Sequence, residues 1–142
     1  MIRVAISGGF DPIHPGHTRY IDEALALGDL LIVILTRDDQ LVTKKGYYAL
    51  SYDERKEVLE WGLSKQSKSY QIVPNLDKDI TSNSSLDEYR PNIFAKGGND
   101  WEECNLPERE VCRKLGIKLI FGVGGLKKIN SSREIIGRGR NV

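Results

Sequence analysis

Apolar residues along this chain gather into short runs separated by amphipathic stretches. Aliphatic and β-branched side chains dominate Ile2–Ile6, Leu30–Leu35, Tyr70–Val73, Asn92–Ala95 and Ile117–Phe121. Runs that are apolar throughout suit strands covered on both faces, the environment of a parallel sheet. Between them the period lengthens. Thr18–Leu27 carries Ile21, Ala24 and Leu25 at helical spacing and stops at Gly28, a residue suited to the left-handed position after a helix. Ser51 and Glu54 form a capping box ahead of Val58, Leu59 and Trp61. Leu106–Leu115 reads as a further helix ending on Gly116, and a last short helix is expected to start at Ser131-Ser132.

This alternation continues over 142 residues with no repeat, low-complexity tract or dividing linker. It predicts a single α/β domain over residues 1–142, Rossmann-like and doubly wound on a parallel sheet of about five strands. In such sheets ligands bind outside the carboxyl ends of the strands, where the strand order reverses. The loops after Ile6, Leu35, Ala95 and Phe121 are therefore the places to look for chemistry.

Composition narrows the partners. The chain is 39% hydrophobic and 29% charged, with 21 Lys and Arg against 20 Asp and Glu, a net charge of +1. That balance supplies no field to gather a polynucleotide or an anionic membrane, so anion binding has to be local. The longest apolar stretch, Leu30–Leu35, has a strand's length and not a membrane span, and Met1–Ile6 is too short for a secretory h-region. A cytoplasmic protein is expected. Cys104 and Cys112 lie eight positions apart, which is neither a metal pair nor a disulfide framework; two reduced thiols are expected.

The first loop is the most informative. Ser7-Gly8-Gly9-Phe10-Asp11 allows a sharp turn and a close approach of ligand to backbone N–H groups. His14-Pro15-Gly16-His17 then leads into a helix, with Pro15 suited to its first turn. These are the chain's 2 histidines, and three-residue spacing puts them on one face. At a helix N-terminus, where orphan N–H groups already favour phosphate, two imidazole donors would stabilise charge on a cleaving triphosphate. Two other readings stay open: histidines used only as caps or core fillers, and a metal site of Asp11, His14 and His17. A dinucleotide fingerprint is excluded, because no G-x-G-x-x-G follows the first strand and Gly122-Val123-Gly124-Gly125 lacks the third glycine.

The string Gly9-Phe10-Asp11-x-x-His14-x-Gly16-His17 resembles the H-x-G-H signature of the cytidylyltransferase-like nucleotidyltransferase superfamily. Its continuation, Ala24-x-Ala26-Leu27-Gly28-Asp29, is similar to the heptose-phosphate adenylyltransferases of lipopolysaccharide core biosynthesis and to the glycerol-3-phosphate cytidylyltransferases. The resemblance implies an enzyme moving a nucleoside monophosphate from ATP or CTP to a phosphorylated sugar or polyol, with release of pyrophosphate. The alternatives it leaves are adenylyl transfer to nicotinate mononucleotide, pantetheine phosphate or flavin, and a nucleotide-binding protein without catalysis. It implies His14, His17 and Lys44 as catalytic residues. Gly8, Gly9, Phe10, Lys45, Lys96, Gly97, Gly98, Ser131 and Ser132 are implied at the nucleotide, and Asp11, Asp38 and Arg55 at the acceptor. Lys44 and Lys45 compete for one phosphate-contacting role. Magnesium is expected to arrive on the triphosphate and to need few protein ligands. The partners implied are a nucleoside triphosphate and a small phosphorylated acceptor, with a homodimer as the candidate assembly and neither nucleic acid nor membrane.

Overall fold

The computed structural model describes residues 1–98 and 101–125. Five strands form one sheet in the order β3-β2-β1-β4-β5. They are β1 (Arg3–Gly8), β2 (Leu30–Leu35), β3 (Ser69–Pro74), β4 (Ile93–Gly97) and β5 (Lys118–Val123), and every pairing is parallel. The doubly wound α/β architecture expected from the alternation is what the chain adopts. The order reverses between β1 and β4, so their carboxyl ends diverge there and leave a crevice.

Alternate residues of the central strands serve opposite layers. Val4, Ile6, Leu31, Val33 and Leu35 pack under α1 (Pro15–Leu25) and α3 (Tyr52–Leu63) with Ile21, Ala24, Leu59 and Leu63. Ala5, Ile32, Ile34 and Phe94 face α4 (Asn83–Tyr89) and α5 (Arg109–Leu115) through Leu86 and Cys112. Burial on both faces explains why the strands read as continuous apolar runs. The same desolvation pushes the Cys112 thiol up to about 11, which keeps it a thiol.

Several boundaries move for local reasons. Helix α1 begins at Pro15, three residues before the apolar pattern, because His14 caps it and Pro15 occupies its first position. Its cap residue is Ala26, in the right-handed region. Gly28 is therefore not there for a left-handed turn. A Cβ on it would lie 2.7 Å from the Ile2 carbonyl oxygen and from Val4 Cγ2, so close contact with β1 is what requires glycine. Gly116 does take the left-handed position after α5, at φ 68°. Helix α5 starts at Arg109 and not at Leu106, since Pro107 holds the residue before it extended, with Leu106 at ψ 121°.

On α3 the capping box forms as expected, with Ser51 N–H donating to Glu54 Oε1 at 3.0 Å and Glu54 N–H donating to Ser51 Oγ at 3.3 Å. The buried stripe behind it is Arg55, Leu59 and Leu63, while Trp61 is 67% exposed. Among the described residues no helix is long and apolar enough to cross a membrane.

Candidate active site

A cleft of about 430 Å³ opens at the carboxyl ends of the strands. Its floor is Ser7 and Gly8 of β1, followed by Phe10 and then His14, Gly16, His17 and Tyr20 at the start of α1. Phe10 takes a positive φ of 49° to turn the chain, and its buried ring meets His17 edge-on at 4.9 Å.

The two histidines carry two tasks at once. His14 Nδ1 accepts the Gly16 N–H at 3.1 Å, and His17 Nδ1 accepts the His14 N–H at 3.3 Å. Together they form a reciprocal cap of α1 with imidazoles where a serine and a glutamate usually stand. The rings stack with centroids 3.8 Å apart. A nitrogen that accepts cannot hold a proton, so each neutral ring carries its proton on Nε2. Capping thus engages Nδ1 of each ring.

The remaining walls come from the other strand ends. Helix α2 (Asp38–Lys45) follows β2, a helix that its weak apolar pattern did not predict; only Gln40 and Leu41 are buried. Its last turn brings Lys44 to the cleft. Of the two competing lysines it is Lys44 that lines the space, while the Lys45 ammonium sits 5.4 Å from the Tyr47 ring centroid. Lys96, Gly97 and Gly98 follow from β4, and Gly124 and Gly125 from β5. Gly124 has φ 87°, and a Cβ there would lie 2.9 Å from the Tyr20 backbone, so this rim closes directly on α1. The Tyr20 hydroxyl donates to the Ala95 carbonyl and ties α1 to β4; burial raises its phenol far above the ordinary range.

Burial perturbs Lys96 in the wall of the cleft. Desolvation lowers its ammonium below the usual lysine range; Glu108 opposes this and Lys44 adds to it. The Lys96 Nζ lies over Trp101 at 4.9 Å and Phe94 at 5.4 Å. Two ammonium groups that repel each other across a cleft make a place for phosphate. A lysine that binds its proton more weakly folded than unfolded carries a stability penalty at neutral pH, which fades as pH approaches the unfolded value of about 10.4. Lys96→Met is therefore expected to raise the urea midpoint at pH 7, to raise it less at pH 10.5, and to weaken triphosphate binding. A lower midpoint at pH 7 would contradict this account.

Four of the expected site residues do other work. Asp11 is fully buried, and its oxygens accept the Ala49 and Leu50 N–H groups, both at 2.6 Å. It pins the segment ahead of α3 and does not face the cleft, which removes it from the acceptor site and from a metal site with the histidines. Arg55 is 1% exposed and donates to the Leu50, Gly9 and Thr36 carbonyls and to Asp38 Oδ1. Asp38 is held in that ion pair at 2.8 Å. Gly9 packs on Leu41 instead of lining the cleft, where a Cβ would come within 3.0 Å of it. Among the described residues no group of three or more His, Cys, Asp or Glu could hold a metal ion. Ser131 and Ser132 lie outside the described residues.

The β3–α4 loop adds a wall made of Asn75, Ile80, Thr81 and Ser82, largely within the stretch 77–85, where acceptor-reading residues are expected but no diagnostic pattern names them. Asp77 braces it, accepting from Ser84 N–H at 2.8 Å, Ser85 N–H at 3.0 Å and the Ser85 hydroxyl at 2.7 Å. Gln40 of α2 donates to Asn75 Oδ1 at 3.1 Å and to the Asp77 carbonyl at 3.0 Å. Trp101, Pro107 and Glu108 complete the lining.

A model of the cytidylyltransferase-like family matches residues 5–136. The chain belongs to the cytidylyltransferase-like family. It is similar to the FAD synthase of Aciduliprofundum boonei, 32% identical over 96% of this chain and 89% of that protein, and to the FAD synthase of Ferroglobus placidus, 34% identical over 83% and 72%. The bifunctional protein HldE of Methylococcus capsulatus is 31% identical over 68% of this chain but only 20% of its own length. Among solved structures, the lipopolysaccharide core biosynthesis protein of Thermoplasma volcanium superposes with a TM-score of 0.67 at 25% identity, covering 92% of this chain and 99% of that one. This cytidylyltransferase-like chain is a nucleotidyltransferase, acting on a nucleoside triphosphate and an acceptor.

Proposed function

We propose that the enzyme transfers the adenylyl group of ATP to the phosphate of a flavin mononucleotide, forming FAD. The observation that carries this reading is the apolar side chains of Trp101, Ile80 and Pro107 that line the same cleft as His14, His17 and Lys44. A planar, largely apolar ring system gains from such a lining, whereas a sugar or polyol would need hydrogen-bonding partners in its place. The relatives named FAD synthase, matched over most of their length, point the same way. The sugar-phosphate acceptor expected first is thus less well supported than the flavin alternative.

In the reaction an oxygen of the acceptor phosphate attacks the α-phosphorus of ATP. The bond from that phosphorus to the bridging oxygen breaks, and pyrophosphate leaves. The acceptor phosphate is largely ionised at neutral pH, so no base has to remove a proton. Positioning and charge stabilisation then carry the rate. The Nε2–H groups of His14 and His17, beside the N-terminus of α1, donate to phosphate oxygens, and Lys44 and Lys96 hold the negative charge. Magnesium bound to the triphosphate neutralises further charge there.

The test offers ATP or CTP, with magnesium, to FMN, a heptose phosphate and glycerol 3-phosphate, and separates the products by chromatography. FAD from ATP and FMN is the expected dominant product. A sugar or polyol nucleotide formed about tenfold faster would overturn the flavin reading and leave nucleotidyl transfer standing.

A further inference from the structure

The cleft holds a buried acceptor that phosphate transfer does not use. Glu108 is 5% exposed and lines the space. Its Oε1 accepts the Ser82 N–H at 3.0 Å, which fixes the carboxylate against the β3–α4 loop. Its Oε2 is buried and has no hydrogen-bond partner among the described residues. A buried carboxylate oxygen without a hydrogen bond is costly, and a donor on a bound ligand would satisfy it. Lys96 is near enough to feel Glu108 but holds its ammonium over the Trp101 and Phe94 rings.

The neighbouring hydroxyl is complementary. Ser82 Oγ accepts from Asn75 Nδ2 at 3.4 Å, and among the described residues its own proton is given to no acceptor. Glu108 and Ser82, joined at Oε1, therefore place an acceptor-only oxygen and an unspent O–H donor within the wall of the cleft, whose lining includes Trp101 and Pro107.

We propose that Glu108 and Ser82 read the imide edge of the acceptor's heterocycle: Glu108 Oε2 accepts the ring N–H, and the Ser82 hydroxyl donates to an adjoining ring carbonyl. This assignment rests on the flavin reading above. An oxidised isoalloxazine ring has one N–H, at N3, flanked by carbonyls at C2 and C4. A carboxylate aimed at that position discriminates sharply, because an analogue without the proton leaves both partners unsatisfied.

The experiment compares FMN with N3-methyl-FMN, using ATP and magnesium, in the wild-type chain and in Glu108→Gln. The amide keeps an oxygen for the Ser82 N–H and turns an N–H₂ group toward the ligand, setting donor against donor. The wild type is expected to prefer FMN by about 10–100-fold in kcat/KM, the scale of one charge-assisted hydrogen bond. Glu108→Gln should lose that preference through a higher KM for FMN, with the KM for ATP unchanged. Adenylyl transfer with equal efficiency to both flavins in the wild type, giving FAD and N3-methyl-FAD, would overturn this assignment alone. So would an undiminished preference in Glu108→Gln. No FAD at all from the wild type would overturn the flavin reading, and this assignment with it. The wild-type comparison does not depend on the variant folding.

Discussion

His14→Asn and His17→Asn are each expected to lower turnover by about 10²–10³, the cost of losing one donor to a transition-state oxyanion, with little change in melting temperature. The choice of asparagine follows from the double use of each ring. Nδ1 of both histidines accepts a backbone N–H at the first turn of α1. Asparagine places a carbonyl oxygen where Nδ1 stood and is among the best residues at a helix N-cap. It places nothing where Nε2–H stood. Alanine would remove both functions, adding a capping loss of about 1 kcal/mol to the loss of the donor. The comparison of Asn with Ala at each position therefore separates helix capping from catalysis, read as kcat and thermal unfolding of the same preparations. If both Asn variants turned over within about threefold of the wild type, the histidines would be caps and the charge would have to be stabilised elsewhere.

What could be read from the sequence follows how local each feature is. The H-x-G-H segment was legible because its parts lie within one helical turn: Pro15 at the first position, and two imidazoles at the spacing that lets one cap the other. Helix α2 was hidden from its apolar pattern, with only two buried positions. Its ends were nonetheless written plainly, in Asp38 and Asp39 at the start, Lys44 and Lys45 at the end, and Gly46 at φ 85° beyond. Gly28 was legible as a glycine but not for the right reason, since its neighbours belong to β1. The β3–α4 wall could be placed in the sequence, within 77–85, but its individual residues could not be read. It exists because Ser82 meets Glu108 26 residues away and because Gln40 reaches Asn75 and Asp77 from α2. Asp11 and Arg55 are the instructive pair: the family resemblance marked both as important, while their direction was decided by tertiary contacts.

That direction makes Arg55 the position where a single change should cost the most stability. Its side chain is shielded from water and joins four segments: Nε donates to the Leu50 carbonyl at 2.9 Å, Nη1 to the Gly9 and Thr36 carbonyls at 3.0 Å and 2.6 Å, and Nη2 to Asp38 at 2.8 Å. These are the entry to α3, the loop after β1, the end of β2 and the start of α2, all of which shape the floor beneath His14 and Lys44. Arg55→Leu would strand three carbonyls in the interior, at about 1–3 kcal/mol for each that finds no other donor, and leave the partly solvated Asp38 without its partner. Arg55→Lys keeps the charge but not the planar fork, and one ammonium cannot reach donors' places spread over four segments. Both variants are expected to unfold at markedly lower urea concentration, with Arg55→Leu the worse. An acceptor-binding arginine behaves oppositely: its loss raises the KM for the acceptor phosphate and spares the fold. Unfolding midpoints near the wild type in both variants, together with a tenfold higher acceptor KM, would return Arg55 to the acceptor site. The expected result keeps it underneath, where its effect on catalysis is exerted through the backbone that positions the histidines.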